Sequence, residues 1–164
     1  MTAKPPHDLI VCAALVENPM NLGGLCRTCE GFGVAQLVVS DLAVRENWAF
    51  RKVSASAHRW QTMAACSVDQ LPAWLVAQRQ AGYEVLALTS GPSGQLLNEC
   101  VFAQKTVLLL GRELTGIPLE LMELCDRAVT IPQSGQVESL NVKTAAAIAI
   151  YEYVRQGRVQ EGTA

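Results

Sequence analysis

A short polar segment ahead of an apolar stretch contains the residues best placed to bind a ligand. Ser139 and Asn141 precede residues 144–154, in which Glu152 is the only charged residue. A helix starting near Ser139 would be buried on more than one side and would expose free N–H groups at its front end. Such an end attracts carboxylate or phosphate, although each side chain could equally be a plain helix cap. We therefore predict a ligand site at the tip of a rigid helix.

Three apolar runs in the second half of the chain each lead into a loop that contains glycine. The runs are 84–89, 105–110 and 128–131, and the loops are 90–94, 111–116 and 132–136. Ligands bind outside the carboxyl ends of strands in open α/β sheets, and glycine lets backbone approach them closely. Three such loops on one edge could hold a small planar ligand, although ordinary turns also favour glycine. Neither a GxGxxG nor a Walker lysine motif occurs, which disfavours the usual dinucleotide and triphosphate sites.

These candidate residues need a scaffold, and the chain alternates strands with helices. Further strands are predicted over 9–16, 36–40 and 61–66, and helices over 21–33, 68–82, 119–125 and from about 139. Residues 41–60 have weak periodicity, which favours a short helix among irregular loops. The alternation predicts one α/β domain over 1–164 with a mostly parallel sheet flanked by helices. The ends, 1–7 and 157–164, are expected to be flexible.

Composition excludes several other classes of protein. Half of the 164 residues are apolar and 17% are charged, which favours a globular domain over disorder. No stretch reaches the roughly 18 apolar residues of a membrane span. The N-terminus, MTAKPPHDL, lacks the apolar core of a secretory signal. We therefore expect a cytoplasmic protein that does not bind a membrane.

The six cysteines include one CxxC pair, Cys26 and Cys29. Zinc usually requires four ligands, and the only histidines are His7 and His58. A redox CxxC normally opens a helix, whereas this one falls inside a predicted helix. We interpret the cysteines as small buried apolar residues and predict no metal site.

The charge is unevenly distributed along the chain. The net charge is −2, but residues 43–61 contain four basic residues and a single acid, Glu46. A basic segment on an acidic background predicts a local patch for a polyanion. Trp48 and Trp60 lie in the same segment and could stack on bases or pack in the core.

Three blocks of the sequence carry spaced motifs, N-x-G-x-x-x-R in the first, G-x-E-x-x-G in the second and I-P…G…S-L-N-V in the third. In this chain they are Asn21, Gly23 and Arg27; Gly111, Glu113 and Gly116; and Ile131, Pro132, Gly135, Ser139, Leu140, Asn141 and Val142. Together they resemble the motifs of the SpoU/TrmH family of S-adenosylmethionine-dependent RNA ribose 2′-O-methyltransferases. Gln133, Lys143 and Leu114 depart from residues common in the family, which bears on the choice of substrate.

The resemblance implies a fold and a cofactor. The fold is an α/β domain with a deep C-terminal trefoil knot, which general topology rules would disfavour. The knotted loops, 89–94, 110–117 and 131–140, would bind S-adenosylmethionine, leaving S-adenosylhomocysteine as the product. The implied cofactor-binding residues are Thr89, Ser90, Gly91, Leu110, Gly111, Glu113, Gly116, Ile131, Gln133, Ser139 and Leu140. A homodimer is also implied, with residues 144–154 as its interface and the active site completed across it.

The resemblance also assigns catalytic roles. By position Arg27 is the family's catalytic arginine, and we expect it to bind phosphate and stabilise negative charge at the 2′ oxygen. Asn21 would order this region or contact the ribose, and Glu113 would hold Asn21 or Arg27. Ser139 and Asn141 would anchor the donor's carboxylate or an RNA phosphate.

Within the family the chain most resembles the tRNA guanosine 2′-O-methyltransferases, so the expected substrate is tRNA, with rRNA as an alternative. The residues expected to contact RNA are Arg45, Arg51, Lys52, Arg59 and Arg155, although a solvated charged face remains the alternative. No separate RNA-binding domain is predicted. Two other classes remain open: an inactive RNA-binding homologue with this fold, and a flavodoxin-like binder of small molecules.

Overall fold

The computed structural model describes residues 7–161, and side chains as far as residue 157. The strands are β1 (His7–Cys12), β2 (Val34–Val39), β3 (Met63–Ala65), β4 (Glu84–Thr89), β5 (Gln95–Leu96), β6 (Thr106–Leu110) and β7 (Arg127–Thr130). The helices are α1 (Pro19–Gly31), α2 (Trp48–Ser54), α3 (Leu71–Gln80), α4 (Leu119–Met122) and α5 (Val142–Glu161). Short 3₁₀ turns cover residues 42–46, 57–59, 68–70 and 97–99. The flexible ends predicted at 1–7 and 157–164 fall mostly outside the described residues.

The seven strands form one parallel sheet in the order β3-β2-β1-β6-β4-β7-β5. The predicted α/β class with a parallel sheet is therefore confirmed. All five residues of β6 are buried, as expected for a central strand covered on both faces. One core cluster includes Leu25 of α1 and Ile150 of α5, and a second includes Leu75 of α3.

Several predicted boundaries differ from the observed ones, and two of the errors lie directly before α1 and at the start of α5. The strand predicted over 9–16 ends at Cys12, and residues 13–16 form a buried turn in which Val16 N donates to Ala13 O at 3.0 Å. The helix predicted from about Ser139 begins at Val142. Its cap is Asn141, whose Oδ1 accepts from Lys143 N at 3.0 Å, so the three residues before Asn141 remain outside the helix.

Helix α1 is positioned by its start and by a glycine. Asn18 caps it by accepting from Met20 N at 2.8 Å, and Pro19 occupies its first turn. A Cβ on Gly23 would lie 2.6 Å from the carbonyl oxygen of Phe50. Glycine is therefore required where α1 packs against α2, and this packing holds the segment 48–54 against the domain.

Helix α5 is not uniformly buried. One side, including Ala149 and Tyr153, faces the core, whereas Ile148 and Tyr151 are exposed. Near its C-terminal end, Gln156 Nε2 donates to Cys100 O at 2.8 Å and its Oε1 accepts from Phe102 N at 3.0 Å. These bonds join α5 to the segment that leads into β6. In residues 7–161 no helix is long and apolar enough to cross a membrane.

Candidate functional site

A cavity of about 500 Å³ opens at the carboxyl ends of β4, β6 and β7. Because these strands are neighbours, the three loops that follow them meet at one edge of the sheet. This strand-end cavity has the size of a site for a small organic ligand. Eleven of its lining residues are those predicted to bind a cofactor: Thr89, Ser90, Gly91, Leu110, Gly111, Glu113, Gly116, Ile131, Gln133, Ser139 and Leu140.

The loop after β6 is closed by its glycines. Arg112 N donates to Gly116 O at 2.9 Å, and Gly116 N donates to Arg112 O at 3.1 Å. A Cβ on Gly111 would lie 2.7 Å from the carbonyl carbon of Gly116. Gly116 itself has φ +70°, a left-handed conformation that glycine adopts without strain. The second motif therefore builds a tight loop whose backbone forms one wall of the cavity.

A chain of hydrogen bonds joins the three motifs beside the cavity. Asn141 Nδ2 donates to Asn21 Oδ1 at 3.2 Å, and Asn21 Nδ2 donates to Glu113 Oε1 at 3.2 Å. Asn21 is 7% exposed, so its amide is satisfied inside the protein. This Asn141–Asn21–Glu113 network fixes the start of α1 and the start of α5 relative to the loop after β6.

The charge of Glu113 is stabilised by its neighbours. Burial raises the pKa of this carboxyl, but hydrogen bonds from its own backbone, from the Asn21 side chain and from the backbones of Asn18 and Glu17 outweigh that effect. The net result is a pKa below the ordinary value. Asn18 N, which donates to Glu113 Oε1 at 3.2 Å, is the cap of α1, so the positive end of this helix also favours the carboxylate. Glu113 is therefore an anionic acceptor, suited to holding amide donors.

One buried hydroxyl at the cavity has no partner. Thr89 Oγ1, at the end of β4, is inaccessible to solvent and makes no hydrogen bond with the described part of the protein. Buried polar atoms are normally paired, so an unpaired hydroxyl beside a cavity is available to a ligand. The cavity thus offers a side-chain hydroxyl as well as loop backbone to a polar molecule.

Two other predicted catalytic residues lie apart from the network. Ser139 lines the cavity and is exposed, but it stands three residues before α5 rather than on the helix. Arg27 is exposed on α1 and does not line the cavity. The catalytic roles assigned to Asn21, Arg27, Glu113, Ser139 and Asn141 stay predictions, because geometry places residues without testing their function.

Eight further residues of the lining were not named individually as cofactor-binding residues. Five of them fall within the predictions, because Arg112, Leu114, Thr115 and Ile117 lie in the loop 110–117 and Val142 belongs to the third motif. Leu88, Met122 and Ala145 lie outside the predicted loops and motifs, although Leu88 directly precedes Thr89. Met122 comes from α4, and no pattern in the sequence shows which side of so short a helix faces a ligand.

The basic residues of the first half lie together on the surface. The basic surface, defined as Arg45, Arg51, Lys52 and Arg59, spans α2 and the two 3₁₀ turns beside it. Arg45 Nη2 donates to His58 O at 3.1 Å, and Arg51 Nε donates to Arg45 O at 2.7 Å. Arg51 also forms an ion pair with Glu46. RNA contact by this surface stays a prediction.

Arg155 does not belong to this cluster. It lies on α5, where its guanidinium makes two hydrogen bonds to Glu152, at 2.9 and 2.7 Å. The bonds to Glu152 raise the pKa of Arg155, and those from Arg155 lower the pKa of Glu152. Its guanidinium is therefore already paired with a neighbouring carboxylate, which makes it a weaker candidate for RNA than Lys52 or Arg59.

The cysteines carry no disulfide. Cys26 and Cys29 are buried, and burial raises the pKa of the Cys26 thiol to about 11. A buried, protonated thiol is a poor nucleophile and a poor metal ligand. Over residues 7–157 no three His, Cys, Asp or Glu side chains are grouped as a metal site would need.

Comparison with known proteins agrees with this architecture. A tRNA (guanosine(18)-2′-O)-methyltransferase, TARBP1 of Mus musculus, is 42% identical over 93% of this chain, which corresponds to 10% of the mouse protein. The crystal structure of the TrmH/SpoU tRNA modifying enzyme of Aquifex aeolicus superposes with a TM-score of 0.84 at 29% identity, covering 97% of this chain and 79% of that one.

A second structure carries a ligand. The SpoU methyltransferase AviRb of Streptomyces viridochromogenes, solved in complex with the cofactor AdoMet, has a TM-score of 0.76 at 25% identity over 92% of this chain and 60% of that one. The sequence profile of the SpoU rRNA Methylase family matches residues 8–151. With that match over most of its length, this chain belongs to the SpoU methylase family.

Proposed function

We propose that this chain transfers a methyl group from S-adenosylmethionine to a ribose 2′-OH of RNA, with tRNA as the preferred substrate. The observation that carries the proposal is the strand-end cavity, beside which the Asn141–Asn21–Glu113 network joins the three motifs. The mouse relative, of whose length this chain spans about a tenth, is named a tRNA guanosine methyltransferase. Site and relative thus support the same reaction.

The residues of the cavity fit the methyl donor. Ile131 and Leu140 offer apolar surface to an adenine ring, and the loop backbones offer donors and acceptors at its edge. The unpaired Thr89 hydroxyl supplies a further polar contact. When bound, S-adenosylmethionine supplies a methyl carbon on a positively charged sulfur. The protein must then hold the ribose hydroxyl in line with that carbon, and positioning of this kind can lower a barrier by about 7–11 kcal/mol.

Arg27 acts on the substrate side of the reaction. An arginine stays protonated in proteins, so its guanidinium stabilises negative charge on the 2′ oxygen and binds a phosphate rather than accepting a proton. As the bond from oxygen to the methyl carbon forms and the bond from carbon to sulfur breaks, the hydroxyl proton passes to water or to a phosphate oxygen of the RNA. Asn21 is tied to Glu113 and Asn141 instead of facing solvent, and it thereby fixes the helix that carries Arg27. Asn21 and Glu113 are positioning residues in this mechanism.

Because Arg27 does not line the cavity of its own chain, we place it in the site of a second copy. The exposed Ile148 and Tyr151 stand three residues apart on α5, where a second copy would cover them. The proposal is a homodimer with each active site completed across the interface. Sedimentation at micromolar concentration tests it: a protein that remains monomeric while active excludes the shared site.

We also propose the deep knot. Strand β7 lies between β4 and β5, so it enters the sheet between two strands that precede it in the chain. That order is compatible with threading of the C-terminal segment through a loop. Pulling the unfolded chain from both ends should give a contour length shorter than the sequence allows, because a tightened knot stores residues. A full contour length after complete unfolding argues for an unknotted chain.

The activity is tested with labelled S-adenosylmethionine and bulk tRNA or rRNA. We expect label in tRNA at a ribose 2′ position and little in rRNA. Arg27→Ala should reduce transfer by roughly 100-fold or more while donor affinity stays within a few-fold, since the removed group acts on the 2′ oxygen. Absence of transfer to either RNA, with donor binding intact, contradicts the proposed function.

The six unpaired cysteines support a reducing compartment, for which we propose the cytoplasm.

A further inference from the structure

We propose that Trp48 and Trp60, beside the basic surface, stack on unpaired bases, so that this face binds a single-stranded loop of RNA rather than a duplex. The inference rests on the proposed function only for the class of polymer. It adds the part of the RNA that is recognised and the side chains that recognise it.

The first observation is the exposure of the two rings. Trp48 is 73% exposed and Trp60 is 65% exposed, whereas the third tryptophan of the chain, Trp74, is half-buried against the core cluster that contains Leu75. Single exposed apolar residues are common in proteins, but tryptophan is large and is usually mostly buried. Two exposed indoles within one 13-residue segment leave a large apolar area in water without contributing to the core.

The second observation is the charge around the rings. Lys52 Nζ lies 5.8 Å from the centroid of the Trp48 ring, and Arg59 directly precedes Trp60. A cation close to an aromatic face is the arrangement in which a base stacks while its phosphate is neutralised. The remainder of the chain carries a net negative charge, so this is the face that attracts a polyanion.

The pKa of His58 is lowered in part by the positive charges of the same surface. Burial lowers the pKa of its imidazole first, and the charges of Arg45, Arg51 and Arg59 lower it further. Glu46 opposes them without cancelling them. The cations on this face therefore outweigh its acid at the position of His58.

The third observation is that the segment is held in one conformation. Besides the bonds from Arg45 to His58 and from Arg51 to Arg45, Ser54 Oγ and His58 Nδ1 are 2.9 Å apart. Ala55 and Ser56 both have positive φ, 48° and 69°, which residues other than glycine adopt only when their surroundings enforce it. The rings are thus presented by a preorganised segment, and little ordering is needed on binding.

The geometry of nucleic acids decides between loop and duplex. In a duplex the faces of the bases are covered by their neighbours, so an indole finds only phosphates and edges. In a loop the bases can turn outward, and aromatic stacking then contributes independently of sequence. Exposed rings next to cations therefore favour unpaired nucleotides.

Equilibrium binding of labelled 15-nucleotide oligouridylate and oligoadenylate, in the absence of the methyl donor, tests the proposal. Trp48→Ala and Trp60→Ala should each weaken single-strand binding by roughly 5- to 100-fold, without changing the salt dependence. Trp48→Phe and Trp60→Phe keep a ring and should restore most of the affinity. A duplex of the same length should bind the wild-type and alanine variants equally.

The charged residues give a complementary measurement. Lys52→Gln should reduce the slope of log affinity against log salt by about 0.7 for a single strand, the contribution of one phosphate. The matched control is Lys105→Gln, because Lys105 also lies over a ring, 5.5 Å from the centroid of Tyr83, but outside the basic surface. This control should leave both affinity and slope unchanged.

A spectroscopic readout isolates the two rings. In Trp74→Phe all remaining tryptophan fluorescence, excited at about 295 nm to avoid tyrosine, comes from Trp48 and Trp60, and saturating oligonucleotide should quench most of it. Unchanged fluorescence, or alanine variants that bind single strands as the wild type does, overturns the proposal, as does preferential binding of the duplex. If the tryptophans do not stack on RNA, the proposed methyl transfer is not contradicted. If they stack but no methyl group is transferred to RNA, only the proposed function is contradicted.

Discussion

The strand-end cavity and the basic surface are built in opposite ways. The network beside the cavity joins residues separated by 92 and 120 positions in the chain. The side-chain bonds that connect the elements of the basic surface span 13 positions or fewer. The cavity therefore requires the complete sheet and its crossovers. The side-chain bonds of the surface lie within one short segment, which the packing of α1 against α2 holds on the domain. Changes in the cavity should act through geometry, and changes on the surface should act mainly through charge and stacking.

Among the substitutions that compare the two regions, Gly111→Ala should have the largest combined effect on the free energy of unfolding and on donor affinity. In Gly111→Ala the new Cβ would meet the backbone of Gly116 at 2.7 Å, so the loop has to move. Overpacking of this kind lowers the free energy of unfolding by about 1–3 kcal/mol, and donor affinity should fall at least about tenfold. Urea unfolding and calorimetric titration with S-adenosylmethionine measure the two effects. The control is Gly31→Ala at the end of α1, where nothing lies within 4 Å, so donor affinity should hardly change and the free energy of unfolding should not fall.

A second substitution breaks the long-range network. Asn21→Ala removes two hydrogen bonds, one from Asn141 Nδ2 and one to the charged Glu113, which should lower the free energy of unfolding by about 1–3 kcal/mol. In a double-mutant cycle, Asn21→Ala and Asn141→Ala should be coupled, because they are in contact. Exposed Asn98→Ala is the control, with an expected change within about 0.5 kcal/mol. Additive effects of Asn21 and Asn141 would show that the network contributes nothing as a unit.

The third prediction concerns the loss of stability at low pH through protonation of Glu113. The pKa of Glu113 is lower in the folded protein than its ordinary value of 4.5, so its contribution to stability is present above that value and is lost as the pH falls through the folded pKa. Glu113→Gln should remove this part of the acid sensitivity in unfolding measured below pH 5. Glu152, whose pKa Arg155 lowers, keeps its own contribution in the variant. Identical pH profiles for variant and wild type would contradict a folded-state role for the Glu113 charge.

The smallest change in the free energy of unfolding is expected for Ala55→Gly, in the segment that forms the basic surface. Ala55 has φ 48°, and glycine removes the steric penalty of this conformation, roughly 1 kcal/mol, while increasing the entropy of the unfolded chain by a similar amount. Ala55→Gly should therefore shift the free energy of unfolding by less than about 0.5 kcal/mol and leave donor affinity unchanged. Thermal unfolding together with donor titration measures both. A change in donor affinity would show that the two regions are not independent.

The sequence indicated the parts of the sheet better than their arrangement. Strand β4 was predicted with its observed bounds, because EVLALT contains the apolar run VLAL and lies between a glycine turn and a polar loop. The two residues of β5 were missed, because so short a strand leaves no periodicity to detect. The start of α5 was misplaced because Ser139 and Asn141 are both good caps, and only the observed bond to Lys143 N selects Asn141.

For the candidate site, the sequence predicted which loops and residues line the cavity but not the long-range contacts beside it. The convergence of three loops followed from their positions after successive strands, and the adjacency of β6, β4 and β7 confirms it. The motifs, through their resemblance to a family, supplied the eleven lining residues. The bond from Asn141 to Asn21 could not be predicted, because no local pattern relates two polar residues 120 positions apart. The exposure of Trp48 and Trp60, left open by the sequence, was decided only by the fold.

The late position of α5 in the chain has a consequence for synthesis. A nascent chain that has emerged only as far as β7 already contains two of the three cavity loops but lacks Ser139, Leu140, Asn141 and Val142. Domains tend to fold from the N-terminus as they leave the ribosome, so β1 to β7 can begin to pair before the cavity exists. Binding of the methyl donor therefore becomes possible only when residues 131–145 have been made and docked. Retention on an S-adenosylhomocysteine resin would then separate completed chains from stalled ones.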